Sequence, residues 1–249
     1  MATYKEIKGV TIQTRDEDPT VNAGTWASAP NLNAACREGG GSGTSTSAIN
    51  VGGYPYPMTS EQWNGSTWAT FANMGTPRGK NASAGTYTNA IVGNGSTPGT
   101  PGIGIINNVE TWNGSSWSEI AEINSIRDSN AMSAGGTSTD VIYFGGNASP
   151  GVQALNEKWN GSAWSEESDL NTGRSYVTGM GTTTAALAVA GSTITAVESW
   201  NGSSWSEVSE LNTGRNYQAG TSVSSTSGLI FAGSPPGGSP NFANTESWN

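Results

Sequence analysis

The chain repeats itself, and the repeat limits the fold more than any other feature. The unit Glu-x-Trp-Asn-Gly-Ser-x-Trp stands at Glu61 to Trp68, Glu110 to Trp117, Glu157 to Trp164 and Glu198 to Trp205, and a shortened copy, Glu246-Ser247-Trp248-Asn249, ends the sequence. The first Trp of each copy is Trp63, Trp112, Trp159, Trp200 or Trp248, so successive copies lie 49, 47, 41 and 48 residues apart. The second Trp is Trp26, Trp68, Trp117, Trp164 or Trp205, and the two sets account for all 10 Trp of the 249 residues. A period of this size is the mark of an architecture that stacks one supersecondary unit on the next.

The last copy has a first Trp, Trp248, without a second. Near the start, Asn22-Ala23-Gly24-Thr25-Trp26 supplies a second Trp without a first. An open stack gains nothing from splitting a unit in this way. A closed ring does, because an N-terminal strand paired with C-terminal strands covers two sheet edges at once. The expected fold is therefore all-β, a single five-bladed propeller of four-stranded blades over residues 18–249, closed by that pairing, with residues 1–17 as an N-terminal arm. Val10 and Ile12 alternate in the arm, so it can add a strand to the ring or to a partner.

Within each unit the third and fourth strands flank Asn-Gly, the dipeptide favoured in two-residue hairpin turns. For Ala196 to Trp200 and Ser203 to Val208 that turn pairs Trp200 with Ser203 and Glu198 with Trp205, and sets all four on one face. Six residues after the second Trp comes an apolar residue (Leu32, Met74, Ile123, Leu170, Leu211), and four further on an Arg in four copies: Arg78, Arg127, Arg174 and Arg215. In the first copy Cys36 falls in the Arg slot and Arg37 one place later. Either Arg37 reaches the slot through a bulge or this blade junction is weaker. A Gly/Ala/Ser-rich stretch such as Ser175 to Thr182 suits a crowded inner strand. An apolar strand follows and ends in small residues: Gly52-Gly53, Val92-Gly93, Gly145-Gly146, Ala190-Gly191 and Ala232-Gly233.

Composition removes several functions. The chain holds no His and one Cys, Cys36, which excludes intrachain disulfides, His-dependent triads and His-ligated zinc or copper. A formal charge of −9 argues against general binding of nucleic acid or anionic membrane. No apolar run of membrane-spanning length and no signal-peptide pattern can be read, so no membrane insertion is expected.

Trp, then Arg, then a small-residue pair closing an apolar strand, then Glu-x-aromatic resembles the kelch repeat of β-propellers, over roughly residues 18–249. Here Trp replaces the usual Tyr of the Glu-x-Tyr element. The Trp-Asn-Gly-Ser-Ser-Trp-Ser-Glu and Leu-Asn-Thr-Gly-Arg segments are similar to kelch-type proteins of marine tailed bacteriophages. The opening Lys8-Gly9-Val10-Thr11-Ile12-Gln13-Thr14 and Asp18-Pro19 look like the start of phage structural proteins. The resemblance implies a non-enzymatic virion component (tail fibre, tail-tip or capsid-attached), with other virion proteins or a host-surface glycan or protein as partners and a homo-oligomer as one assembly. The alternative is a lectin-like propeller, secreted or on a cell surface. Some kelch propellers are copper radical oxidases, but a His-free chain cannot supply their ligands, and no cofactor is expected.

The repeated acids Glu61, Glu110, Glu157, Glu198 and Glu246 and the four Arg read as structural, since one chain rarely needs four copies of a catalytic pair. Such pairs would tie blade to blade. The Trp set reads as core packing rather than sugar stacking. The Asn-Gly turn accounts for most Asn-x-Ser/Thr triplets, and Asp16-Glu17-Asp18 reads as a charged loop rather than a calcium site. Gly39 to Gly43 lacks the Lys and the strand-to-helix setting of a phosphate loop, and Cys36 is expected to be a small buried residue. Function then falls to the segments of variable length after the second strand: Gly53 to Thr59, Gly93 to Asn108, Gly146 to Asn156, Gly191 to Ala196 and Gly233 to Asn244. All should emerge on one face. Their composition suits adaptable recognition loops, and Tyr54, Tyr56, Asn241 and Phe242 are the candidate contact residues.

Overall fold

The computed structural model describes residues 28–55, 59–98, 104–221, 223–235 and 237–249. The N-terminal arm, the closing segment with Trp26, and Tyr56 lie outside the described residues. The described chain is all-β and forms a five-bladed propeller. Blade one is the antiparallel meander β1 (Gly40–Thr44), β2 (Ser47–Val51), β3 (Ser60–Trp63) and β4 (Trp68–Thr70). Blade two is β5 (Ala82–Thr86), β6 (Asn89–Gly93), β7 (Val109–Trp112) and β8 (Trp117–Glu119). Blade three takes β9 (Ala131–Met132), β10 (Val141–Phe144), β13 (Asn156–Trp159) and β14 (Trp164–Glu166), with a separate hairpin of β11 (Asn147–Ala148) and β12 (Gly151–Val152) in the loop after β10. Blade four is β15 (Thr178–Gly181), β16 (Ala186–Val189), β17 (Val197–Trp200) and β18 (Trp205–Glu207). In blade five the described strands are β19 (Ala219–Thr221), β20 (Gly228–Phe231) and β21 (Thr245–Trp248). The first strand of each blade is innermost; β1 lies beside β5, β5 beside β9, β9 beside β15 and β15 beside β19. Gly40 to Gly43, from the Gly-rich stretch, lie in β1 of this inner ring.

The outer hairpins differ from the expected register. Trp200 stands opposite Trp205 and Glu198 opposite Glu207, and blades one to three repeat the Trp–Trp pairing. The connection is thus four residues, Asn201 to Ser204, not two. Asn201 Oδ1 accepts the amides of Ser203 (2.9 Å) and Ser204 (3.0 Å), and Asn64, Asn113 and Asn160 do the same in their copies. The side chain supplies the turn's acceptor, which a two-residue hairpin has no need of. Directly opposed indoles follow, with Trp200 and Trp205 centroids 5.3 Å apart. The indole N–H of the first Trp donates to the hairpin joining the two inner strands in every blade: Trp63 to Ser45, Trp112 to Tyr87, Trp159 to Ser138, Trp200 to Thr183 and Trp248 to Ser225. One ring therefore spans its own sheet and satisfies its polar atom, as a buried indole requires.

Between blades the contacts are apolar. Trp205 packs edge-on to Phe144 of blade three (4.9 Å), with Leu170 and Val177 in the same cluster. Ile123, Tyr143 and Trp164 share the cluster between blades two and three. The apolar residue placed six after the second Trp is buried at Met74, Ile123 and Leu170, and half-buried at Leu32 and Leu211. The core reading of the Trp set holds for Trp112, Trp159, Trp164, Trp200 and Trp205, which are buried; Trp63, Trp68, Trp117 and Trp248 are half-buried.

The Arg–Glu reading resolves into a specific clamp. Each Arg ends the connection arriving from the previous blade, and its partner Glu lies on the third strand of the blade that connection enters. The side chains of Arg78, Arg127 and Arg174 are fully buried and reach Glu110 at 2.6 Å, Glu157 at 2.7 Å and Glu198 at 3.1 Å; Arg215 pairs with Glu246. Further guanidinium N–H groups go to carbonyls, as Arg78 does to Asn108 (2.7 Å) and Arg174 to Ala196 and Ala188 (3.2 Å each), while Arg127 Nε and Arg174 Nε are buried without a partner. The carboxylates accept main-chain amides from the arriving connection: Glu157 takes Asn124 and Ser125, and Glu198 takes Asn171 and Thr172. Burial alone pulls Arg78 and Arg174 below the usual guanidinium range, and the facing carboxylates oppose it.

Blade one departs from this plan. Arg37 does not enter the slot; its guanidinium lies 4.7 Å over the Tyr54 ring. Cys36 occupies the slot, half-buried rather than buried, with Asn50 Nδ2 3.3 Å from its sulfur. Glu61 is nonetheless buried, held by Asn33 N (2.7 Å), Asn33 Nδ2 (2.9 Å) and Ala34 N (2.9 Å). Leu229 and Phe231 of blade five are 43% and 38% exposed, where Leu187 and Val189 of blade four are buried. Among the described residues, the passage from blade five to blade one is the least covered. Restoring the guanidinium should strengthen it. Cys36→Arg is expected to raise stability by about 1.5–3 kcal/mol, the worth of hydrogen bonds to a charged group, read from urea unfolding at neutral pH. An unchanged midpoint would show that Glu61 is already satisfied by its three N–H donors.

Candidate functional site

Antiparallel order decides where the loops go. Each inner strand begins on the face at which its neighbour, the second strand, ends, so all five variable loops leave from the face where the inner strands start. Main-chain bridges fasten the two together: Arg37 to Tyr54, Gly79 to Ser96, Asp128 to Asn147 and Asn216 to Ser234. The small-residue pairs make that junction possible. Gly52, Gly145, Ala190 and Ala232 take φ of 52–66° and the following Gly takes 90–113°. In blade two the equivalent pair is Asn94-Gly95 (φ 54° and 99°), not Val92-Gly93, which lies two residues earlier within the strand region. A Cβ on Gly95 would come within 2.3 Å of the Gly79 carbonyl, so the close approach itself demands glycine. Blade-to-blade ties also run here, from Gly53 N to Arg78 O (2.8 Å), Gly146 N to Arg174 O (2.8 Å) and Gly191 N to Arg215 O (3.2 Å).

The loops form a rim of mixed character. The second carries a bridge between Ser96 and Ile105, and the third projects the β11–β12 hairpin with Val152 half exposed. Tyr54, 45% exposed, belongs to the mouth of blade one, whereas Asn241 is exposed and Phe242 half-buried in blade five, the latter 5.6 Å beneath Arg215. The candidate aromatics are thus anchored each to its own blade by an Arg. Ile126, just before Arg127, is also half exposed on this face.

Sequence reasoning missed what lies at the axis. Two residues after each Arg slot come Glu38, Lys80, Ser129, Tyr176 and Tyr217, every one with φ between 53° and 59°. A side chain in this left-handed conformation costs on the order of 1 kcal/mol where glycine would cost nothing. Their main chains pass hydrogen bonds round the axis: Lys80 N to Glu38 O (2.8 Å), Ser129 N to Lys80 O (3.2 Å) and Tyr176 N to Ser129 O (2.6 Å). Gln218 Nε2 continues the belt to Tyr176 O at 2.9 Å. Tyr176 and Tyr217 meet at 4.3 Å between centroids, and the hydrogen bond to Tyr176, followed by burial, pushes the Tyr217 phenol up to about 12. Lys80 stands 3.9 Å from Asp128, whose carboxyl is raised by burial and held back by that ammonium. The shared signal is conformational, since the five positions have little residue type in common.

Among the described residues, no group of three or more Cys, Asp or Glu is placed to hold a metal ion. No protein-family model matches the chain, and no curated protein matches it.

Proposed function

We propose that the chain is a non-enzymatic structural or adhesion protein of a phage virion, a kelch-like propeller that presents its loop-bearing face to a host surface or to another virion protein. The observation that carries this reading is a division of labour. The repeated side chains are consumed by the blades, with four Arg locked to Glu and the Trp rings in the sheets. Variation in loop length gathers on one face, which also exposes Tyr54, Ile126, Val152 and Tyr217. A rigid frame with variable loops at one end is the ordinary arrangement of a recognition protein, and the phage-like wording of the repeats supplies the setting. Mass spectrometry of gradient-purified particles from the phage whose genome carries this sequence should find the chain, and antibody against it should label one part of the particle. Its absence from purified particles would overturn the assignment.

A further inference from the structure

We infer that the axial mouth on the loop-bearing face is a binding site for a single neutral pyranose, the terminal sugar of a glycan. The inference rests on reading that face as the contact surface and gives its ligand class. A cavity of about 270 Å³ opens on the axis, with residues from all five blades around it. It is near the small end of ligand pockets, which run roughly 300–1,000 Å³, and has room for one sugar ring rather than a chain.

The walls explain the choice of ligand. Tyr217 is 55% exposed and touches Tyr176, giving an aromatic platform against which the C–H face of a pyranose can lie. Behind it are carboxamides whose N–H groups are used within the protein while their oxygens are not. Asn130 Nδ2 donates to Arg127 O and Gln218 Nε2 to Tyr176 O and Val189 O, but Asn81 Oδ1, Asn130 Oδ1 and Gln218 Oε1 are buried without a partner. Asn81, Asn130 and Gln218 all line the cavity, with these oxygens buried behind its surface. Across the mouth, Glu38 accepts and Lys80 donates. Hydroxyl groups, each both donor and acceptor, match such a lining. A cation would meet Lys80, and an anion would meet Glu38 with Asp128 close behind.

Conformation makes the argument independent of composition. At five equivalent left-handed positions where glycine is free of strain, this chain keeps five side chains, and no two neighbouring blades supply the same one except the touching Tyr pair. The Trp and Glu of the blades repeat, whereas these strained residues around one cavity differ, as an asymmetric ligand asks of a symmetric ring.

The test uses the isolated full chain, so its failure would leave the virion assignment standing. Saturation-transfer NMR with methyl glycosides of glucose, galactose, mannose, N-acetylglucosamine and fucose should show at least one binder. Tyr217→Gly removes the platform and relieves the left-handed strain. It should weaken that binder at least tenfold while the thermal midpoint stays level or rises. Tyr217→Phe keeps the ring and should bind within about threefold of the parent. Val223→Ser, on a hairpin at the opposite end of the axis, should change nothing. Transfer to none of the glycosides, binding indifferent to Tyr217→Gly, or binding confined to Arg- or Lys-containing peptides would each overturn the proposal.

Discussion

Arg127→Met should lower stability by about 3–5 kcal/mol, the usual penalty for stranding one member of a buried ion pair. Both Arg127 and Glu157 have fully buried side chains. With the guanidinium gone, Glu157 keeps only the amides of Asn124 and Ser125. The Tyr143 carbonyl loses a donor too, since Arg127 reaches it at 3.2 Å, and the Tyr143 ring loses the cation 4.5 Å away. Arg174→Met should be milder, because Glu198 also accepts Asn171 Nδ2 at 2.9 Å. The natural precedent is blade one, where Glu61 stays buried without any Arg on three N–H donors alone. Urea unfolding of both variants checks the ranking. The double variant Arg127→Met with Glu157→Gln should recover part of the loss, because no charge is left buried; Asn124 N and Ser125 N donate to separate oxygens of Glu157, so the Gln oxygen keeps one amide and gives up the other. Equal unfolding midpoints for Arg127→Met and the parent would show that the clamp contributes nothing.

These clamps also show how far the sequence could be read. The Trp spacing counted the blades because the first indole of each unit has one geometric duty, spanning the sheet and donating to the inner hairpin, and every copy keeps it. Arg and Glu were legible as a structural set for the same reason, although the sequence could not show that each pair lies at the seam between an arriving connection and the blade it enters. Two local readings failed where side-chain chemistry outranked backbone preference. Asn-Gly suggests a two-residue turn by its tolerance of positive φ, yet the Asn201 oxygen collects two later amides and widens the loop to four. Val92-Gly93 looks like the small pair, yet Asn94 takes the left-handed place instead, Asn being one of the few residues with a side chain that visits it routinely. The axial ring was invisible for a different reason. Glu38, Lys80, Ser129, Tyr176 and Tyr217 share a dihedral angle rather than a chemistry, and pattern matching has nothing there to match.

The remaining large effect concerns Trp26. In the described blades the residue seven after the second Trp marks the next blade's clamp. Asn171, seven after Trp164, donates to Glu198 and to the Trp205 carbonyl. Asn33, seven after Trp26, donates in the same way to Glu61 and to the Trp68 carbonyl. Trp26 itself lies outside the described residues; the repeat spacing predicts that it pairs with Trp248, as Trp164 stands opposite Trp159. Trp26→Ala is then expected to cost about 3–5 kcal/mol, as large-to-small changes at packed aromatics do. The internal standard is Trp205→Ala, at a ring that is 6% exposed and packed on Phe144. Unfolding curves of the two variants should shift alike. Limited proteolysis of Trp26→Ala should also open the chain first at blade five, where β21 otherwise has β20 as its described neighbour. If Trp26→Ala unfolds with the parent while Trp205→Ala does not, the ring is held shut by something other than the split unit, and the weak seam between blades five and one must be carried by the clamp on Glu61 alone.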